Sequence, residues 1–222
     1  KMLLLCSVLF LTGSLSIFAE NNETLFVVGH TTQLNGQFFT SMWGNSTSDI
    51  DVRALLHDYA TVAWSKNGNI VINDTVVSSF TSENDRNGDK IYKIKLKSGL
   101  KYNDGTAITA KDYVFSVLLE SSPYIAQLSG NAVGNDFIVG AKDYLIGTTH
   151  KLAGLHLVDE STFSITVSKK FLPYYYDHTY ASVMPYPIHV IAPNCEVKDN
   201  GEGAYISGDF SAELLRETIL NP

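Results

Sequence analysis

Cysteine is nearly missing from this chain: two in 222 residues, too few for a disulfide framework to hold the fold. Cys6 lies inside an apolar N-terminal run, so removal of that run leaves Cys195 as a lone thiol. Clusters of Lys and Arg are missing as well. With 16 basic residues against 23 acidic ones and a formal net charge of −7, the chain has no basic face with which to displace counterions, which removes nucleic acid from its partners. Catalytic patterns are also absent. Neither G-x-S-x-G nor H-E-x-x-H occurs, and Gly130, Gly134, Gly140 and Gly147 form neither of the two glycine-rich phosphate loops. The six histidines, at positions 30, 57, 150, 156, 178 and 189, show no ligand spacing apart from the pair His150 and His156. The acidic loop from Glu83 to Asp89 places oxygen ligands alternately, but the closing Glu of an EF-hand would fall on Ile94, inside a strand. The expectation is no enzyme, no cofactor and no metal site. No repeat, low-complexity tract or flexible linker is present.

What the chain does have is apolar and aromatic content, 45% and 11%, enough for a sizeable core in one large or two small domains. Residues 1–19 form an apolar run with Lys1 in front and Ala19 just before polar Glu20. That is the form of a secretory signal peptide, with Ile17 and Ala19 where a signal peptidase inspects the chain. A membrane anchor is the rival reading, weakened by Gly13, Ser14 and Ser16. Cys6 invites a lipoprotein reading, against which the apolar run continues past it. Because the chain opens on Lys and not Met, its N-terminus is expected to be incomplete.

The most informative stretch runs from Ile91 to Leu119. Ile91, Lys93, Lys95 and Lys97 interleave with Tyr92, Ile94 and Leu96, the period of a half-buried strand with its lysines outward. Ser98-Gly99 stops it. Asn103-Asp104-Gly105 supplies a tight turn. Thr109 then reads as an N-cap with Asp112 facing the first-turn amides, and Tyr113, Val114, Val117 and Leu118 recur at helical spacing until Ser122-Pro123.

Tyr92, Ile94, Leu96, Gly99, Tyr102, Asp104, Gly105, Thr109, Ala110, Asp112, Val114 and Phe115 together resemble the signature segment of the family 5 extracellular solute-binding proteins, the peptide and nickel receptors of ABC importers. Two strands, 155–160 and 162–167, around Asp159-Glu160-Ser161 resemble a second element of that family. The resemblance implies an α/β, periplasmic-binding-protein-like fold of type II, peptide-receptor subclass, of which only the N-terminal portion is present. It divides the chain into a signal peptide at 1–19, a first segment of lobe I at 20–45, a small second domain at 46–180, and a return segment of lobe I at 181–222. The C-terminal lobe is absent, so the chain is expected to be a fragment.

The signature residues themselves have local reasons to exist as turn and cap. Ligand contacts are implied elsewhere. Thr24 to Gly29 reads as a buried strand, and by the resemblance Gly29, His30, Thr31 and Thr32 follow it into the cleft. Three adjacent tyrosines, Tyr174, Tyr175 and Tyr176, offer rigid apolar faces with polar tips for a peptide groove, or pack between domains. Helices are expected over 47–59, with Ser48 or Asp49 as N-cap and Ile50, Leu55, Leu56 and Tyr59 as its apolar residues, and over 211–220. Asn67-Gly68 and Asn87-Gly88 read as hairpin turns, the first of two residues. The implied function is binding a peptide outside the cytoplasmic membrane and presenting it to an ABC permease, by a closure that the ligand stabilises. Membrane association would come only through the importer or an N-terminal anchor. The alternatives are a secreted structural or adhesive module that keeps the half-fold, and a receptor for nickel or another small solute.

Overall fold

The structure is a computed structural model that describes Gly29 and residues 32–44, 46–133 and 135–221. The expected signal peptide and the strand from Thr24, apart from Gly29, lie outside the described residues. From Thr32 on, the chain forms one compact unit.

Its centre is a four-stranded antiparallel sheet made of β3 (Val77–Asn84), β4 (Lys90–Leu96), β5 (Leu155–Asp159) and β6 (Thr162–Val167), in the order β3-β4-β6-β5. The lysine-alternating segment is β4, paired along its length with both β3 and β6. Tyr92, Ile94 and Leu96 are buried while Lys93 and Lys95 are exposed, as the two-residue period requires. Cross-strand partners share a face, so Ile94 opposite Phe163 and Tyr92 opposite Ile165 extend the apolar layer across the strands.

Helix α2 (Ala110–Glu120) covers that layer, with Tyr113 stacked on Phe163 at 5.5 Å between ring centroids. Its other sides are covered too. The hairpin of β7 (Glu196–Asp199) and β8 (Ala204–Ser207) and the short helix α5 (Ile188–Ile191) pack on it, so every residue from Ala110 to Leu119 except Lys111 is buried. A helix apolar on all sides belongs inside a core. Its start is a complete capping box: the Asp112 carboxylate accepts from the Thr109 N–H at 2.8 Å, and Thr109 Oγ1 accepts from the Lys111 N–H at 3.3 Å. Pro123 ends α2 as expected and opens α3 (Pro123–Gln127), with Ser122 as its cap. The short α4 (Ala141–Leu145) starts at Gly140, and the C-terminal segment is α6 (Ala212–Leu215), capped by Ser211, running into a π-helical stretch, Arg216–Leu220.

Three tight loops share one build. At 65–69, 85–89 and 102–106 the first residue's N–H donates to the fifth residue's carbonyl, and the fourth residue's N–H donates back to the first residue's carbonyl. The fourth residue is Gly68, Gly88 or Gly105, at φ 75, 85 and 89, a left-handed position that only glycine takes without strain. The loop of the ribbon β1 (Val62–Trp64) and β2 (Ile70–Ile72) is therefore longer than the expected two residues, because the αL glycine adds a bulge. In the 85–89 loop the Asp85 carboxylate accepts from the Asn87 and Asp89 amides at 2.8 and 2.9 Å, which accounts for the acidic composition without a metal.

Helix α1 (Thr47–Leu56) departs from expectation. Its N-cap is Ser46, whose Oγ accepts from the Asp49 N–H at 3.2 Å, and not Ser48 or Asp49. Ser48 and Asp49 turn inward because the irregular segment 32–44 has backbone groups to satisfy. Asp49 accepts from the Asn35 and Gln37 amides at 2.9 and 3.4 Å, Ser48 Oγ donates to the Thr32 carbonyl at 2.7 Å, and Arg53 donates to the carbonyls of Gln37, Thr40 and Gly44. The buried side of α1 is thus Ser48, Asp49 and Arg53, while Leu55 and Leu56 are 87% and 64% exposed.

Candidate functional site

A hollow of about 590 Å3 lies where the end of α1 and the residues after it meet the 101–103 segment and the chain from Met184 to Pro187. The β4-to-α2 connection brings in Lys101, Tyr102 and Asn103 through the third glycine loop. Met184, Pro185, Tyr186 and Pro187 are held to α2 by the Tyr186 N–H, which donates to Ser116 Oγ at 2.7 Å. The walls are mostly apolar and aromatic: Phe38, Phe39, Leu55, Leu56, Tyr59, Tyr102, Met184 and Tyr186. A second hollow of about 410 Å3, bounded by Ser41, Ile50, Arg53 and Ala54, shares His57, Met184 and Tyr186 with the first. A concave apolar surface with a few polar groups is the usual form of a ligand site.

Those polar groups are few and specific. Tyr186 is at the centre, its ring 6.1 Å from Phe39 and edge-on to His57 at 6.4 Å. Burial raises its phenol pKa, so it stays a neutral donor. Burial, helped by the Arg53 charge, lowers the pKa of His57, against a backbone hydrogen bond at Phe38 that raises it. The Tyr102 hydroxyl is buried beside the Asp112 carboxylate, and burial together with that carboxylate pushes its pKa up. Asp104 accepts from the Thr106 N–H at 2.8 Å and pairs with His189 Nε2 at 2.9 Å, which hold its pKa below the usual carboxylate value. No bond-making chemistry follows from this set. It offers apolar contact, hydroxyls and an imidazole, with Asp58, Lys101 and Asn103 also on the walls.

Of the residues that sequence reasoning named, Thr32, Tyr174 and Tyr175 do not line this hollow. Gly29 is exposed and has open space around it, while His30 and Thr31 lie outside the described residues. Thr32 holds its segment to α1, with Oγ1 2.7 Å from Ser48 Oγ. Tyr174 and Tyr175 belong to a surface cluster with Tyr176: Tyr174 is 6.1 Å from Tyr176, and Tyr175 lies edge-on to Tyr176 at 4.7 Å. Tyr174 borders a different hollow of about 380 Å3, beside the Lys90–Asp177 ion pair. Neither Thr32 nor the tyrosines line the large hollow. Phe39, Tyr102, His57 and Tyr186 do, and of these only Tyr186 has a sequence signal, the Met184–Pro185–Tyr186–Pro187 run, whose prolines fix a chain that cannot form a helix.

Residues 76–212 match the family model for bacterial extracellular solute-binding proteins, family 5, middle region. The chain belongs to this family. The match contains both the β4–turn–α2 segment and the β5–β6 hairpin on which the resemblance rested. The periplasmic oligopeptide-binding protein OppA of Escherichia coli is 27% identical over 146 residues, 62% of this chain and 25% of that protein. Its counterpart in Salmonella typhimurium is 31% identical over 106 residues, 44% of this chain and 18% of that one. Among solved structures, Listeria monocytogenes OppA bound to peptide superposes with a TM-score of 0.53 at 21% identity, covering 75% of this chain and 36% of that one. The chain therefore matches a quarter or less of its curated relatives' length and about a third of a structural one. The fold is the α/β periplasmic-binding-protein-like fold of peptide receptors, in part. Members of the family are solute-binding proteins of transporters and not enzymes. Among the described residues, no group of three or more His, Cys, Asp or Glu is placed to hold a metal, and no helix is long and apolar enough to cross a membrane.

Proposed function

We propose that this chain is the N-terminal part of an extracytoplasmic receptor that binds peptides and presents them to the permease of an ABC importer. The observation that carries the reading is the open aromatic hollow around Tyr186, in a chain of a solute-binding family whose matched relatives are oligopeptide-binding proteins. Tyr, Phe and Pro surfaces suit a ligand of variable side chains, because they give area without demanding one partner geometry. The exposed Leu55 and Leu56 at its rim suit coverage by a further part of the receptor, which would exclude water from the bound peptide. Residues 1–19 would direct export and be removed. Gly29, His30, Thr31, Thr32, Tyr174 and Tyr175 stay as proposed ligand contacts.

A peptide on one wall keeps part of its backbone hydrated. Losing about three net hydrogen bonds at about 1 kcal/mol each and one charged contact at about 2 kcal/mol comes to about 5 kcal/mol, or between three and four decades in Kd. Calorimetric titration of the 222-residue chain with a mixed library of short peptides is expected to show binding no tighter than tens of micromolar, weakened further by Tyr186→Ala. Submicromolar binding, or binding unchanged by Tyr186→Ala, would overturn this placement of the site.

A further inference from the structure

A second, smaller cavity of about 270 Å3 lies beyond Met184, which borders both it and the large hollow. Its walls come from α2, the 135–138 segment, β6 and the stretch from Tyr180 to Met184, and they are mainly Val117, Phe137, Ile138, Ile165 and Val183. Phe137 and Tyr180 form an aromatic side, their ring centroids 4.8 Å apart. Into this apolar space the last residue of α2 brings a carboxyl group, that of Glu120. Among the described residues it has no hydrogen bond and no ion pair.

Two other polar side chains on the walls are paired, while Ser182 also lines the cavity and is exposed. Asn135 Nδ2 donates to Ser121 Oγ at 2.9 Å, and the Tyr180 hydroxyl donates to the Phe171 carbonyl at 3.1 Å. Charges nearby do not compensate Glu120. Asp136 and Asp177 are felt by Tyr180, Asp177 is already paired with Lys90, and Tyr186, which feels Glu120, is a neutral phenol. Glu120 is only partly exposed, and a carboxylate without a partner in mostly apolar surroundings holds its proton more tightly than one in open water. Burial pushes the pKa of Glu120 up to about 7.

We propose that this cavity is a binding site for a small organic ammonium ion, with Glu120 as its counter-charge and Phe137 and Tyr180 as its aromatic wall. A hard metal ion does not suit it, because one carboxylate and apolar walls do not supply the six or more oxygen ligands such an ion takes. An alkylammonium suits it in each part: the ammonium pairs with the carboxylate, its charge faces aromatic rings, and its chain fills apolar space. The site is separate from the peptide reading and stands or falls without it.

The test is NMR or calorimetric titration of the chain with n-butylammonium chloride, with n-butanol as the uncharged probe of the same shape. Binding needs Glu120 ionised, so affinity is expected to rise about tenfold from pH 6 to pH 8, following the fraction of a carboxylate of that pKa that has lost its proton. Glu120→Gln keeps the shape and is expected to weaken butylammonium at least tenfold while leaving butanol unchanged. Butylammonium binding that is flat in pH, equal to that of butanol, or undiminished in Glu120→Gln refutes the site, as does an absence of binding at millimolar concentration. If Glu120→Gln does not fold, the pH series and the butanol comparison on the unaltered chain decide alone. Peptide titration reads the Tyr186 hollow, so a failure there is told apart from a failure here.

Discussion

Replacing Arg53 by Met tests whether the polar side of α1 is what holds one wall of the large hollow. The side chain is 8% exposed and its guanidinium serves three backbone carbonyls, those of Gln37, Thr40 and Gly44. Two of these contacts are 3.3 Å long and count as weak. Taking about 2 kcal/mol for the short charged bond and about 0.5 kcal/mol for each long one gives about 3 kcal/mol for the set. Met fills most of the volume, so little of the loss is cavity formation. Two outcomes are physically distinct. If segment 32–44 unfolds only with the rest of the unit, Tm falls by about 6 to 12 °C, at about 2 to 4 °C per kcal/mol for a unit of this size. If the segment detaches by itself, Tm barely moves, but the Asn35 and Gln37 amides, which donate to Asp49, exchange with solvent about a hundredfold faster. Hydrogen exchange with a thermal melt separates them. Unchanged Tm together with unchanged exchange at those two amides would refute the assignment of Arg53 as the segment's anchor. Arg53→Lys, which keeps the charge but not the three-way reach, is expected to fall between the two.

Other expectations follow from single features. Leu55→Ser with Leu56→Ser should change Tm of this chain by less than about 2 °C, since both side chains are exposed, while reducing self-association in sedimentation velocity. Thr109→Ala and Asp112→Ala should each destabilise by about 1 kcal/mol or more, and the double variant by less than the sum, because the two side chains form one capping box; denaturant titration of all four proteins checks the cycle. The folded Glu120 carboxyl binds its proton more tightly than in the unfolded chain, so it stabilises the fold at pH 4 and that contribution is lost as pH rises through about 7. The shift corresponds to at most about 3 kcal/mol, and Glu120→Gln should abolish this part of the pH dependence, raising Tm relative to the parent more at pH 8 than at pH 5. Equal Tm differences at both pH values would contradict the raised pKa of that carboxyl.

The parts of the fold that sequence showed were those where local chemistry and tertiary packing agree. In 91–119 the lysine alternation, the Asp104-Gly105 turn and the Thr109–Asp112 cap each have one physical solution, and the structure adopts it. Helix α1 was legible as a helix but not in its orientation. Leu55 and Leu56 recur at helical spacing, which ordinarily marks the inner side, but Asp49 and Arg53 are drawn inward by the unpaired backbone of 32–44, a need that no periodicity records. The β7–β8 hairpin went unnoticed because Glu196 to Asp199 has only Val197 as an inward residue. The site was harder still. Phe39, His57, Tyr102 and Tyr186 come from four stretches of the chain and converge only once α2 is in place, whereas three adjacent tyrosines attract attention without sharing their hollow.

The tie between Thr61 and the far end of the unit has a consequence for how the polypeptide is made. Thr61 Oγ1 donates to the carbonyls of Ala181 and Val183, and the Val183 amide donates back to Thr61 Oγ1 at 2.9 Å, a clasp across about 120 residues. The β1–β2 ribbon is only three residues long on each side, too short to persist unaided in water. On a ribosome, then, this ribbon emerges early and waits. It gains its anchor only after Val183 has left the exit tunnel, so the ribbon stays open to chaperones and proteases while the roughly 120 residues between the two are made.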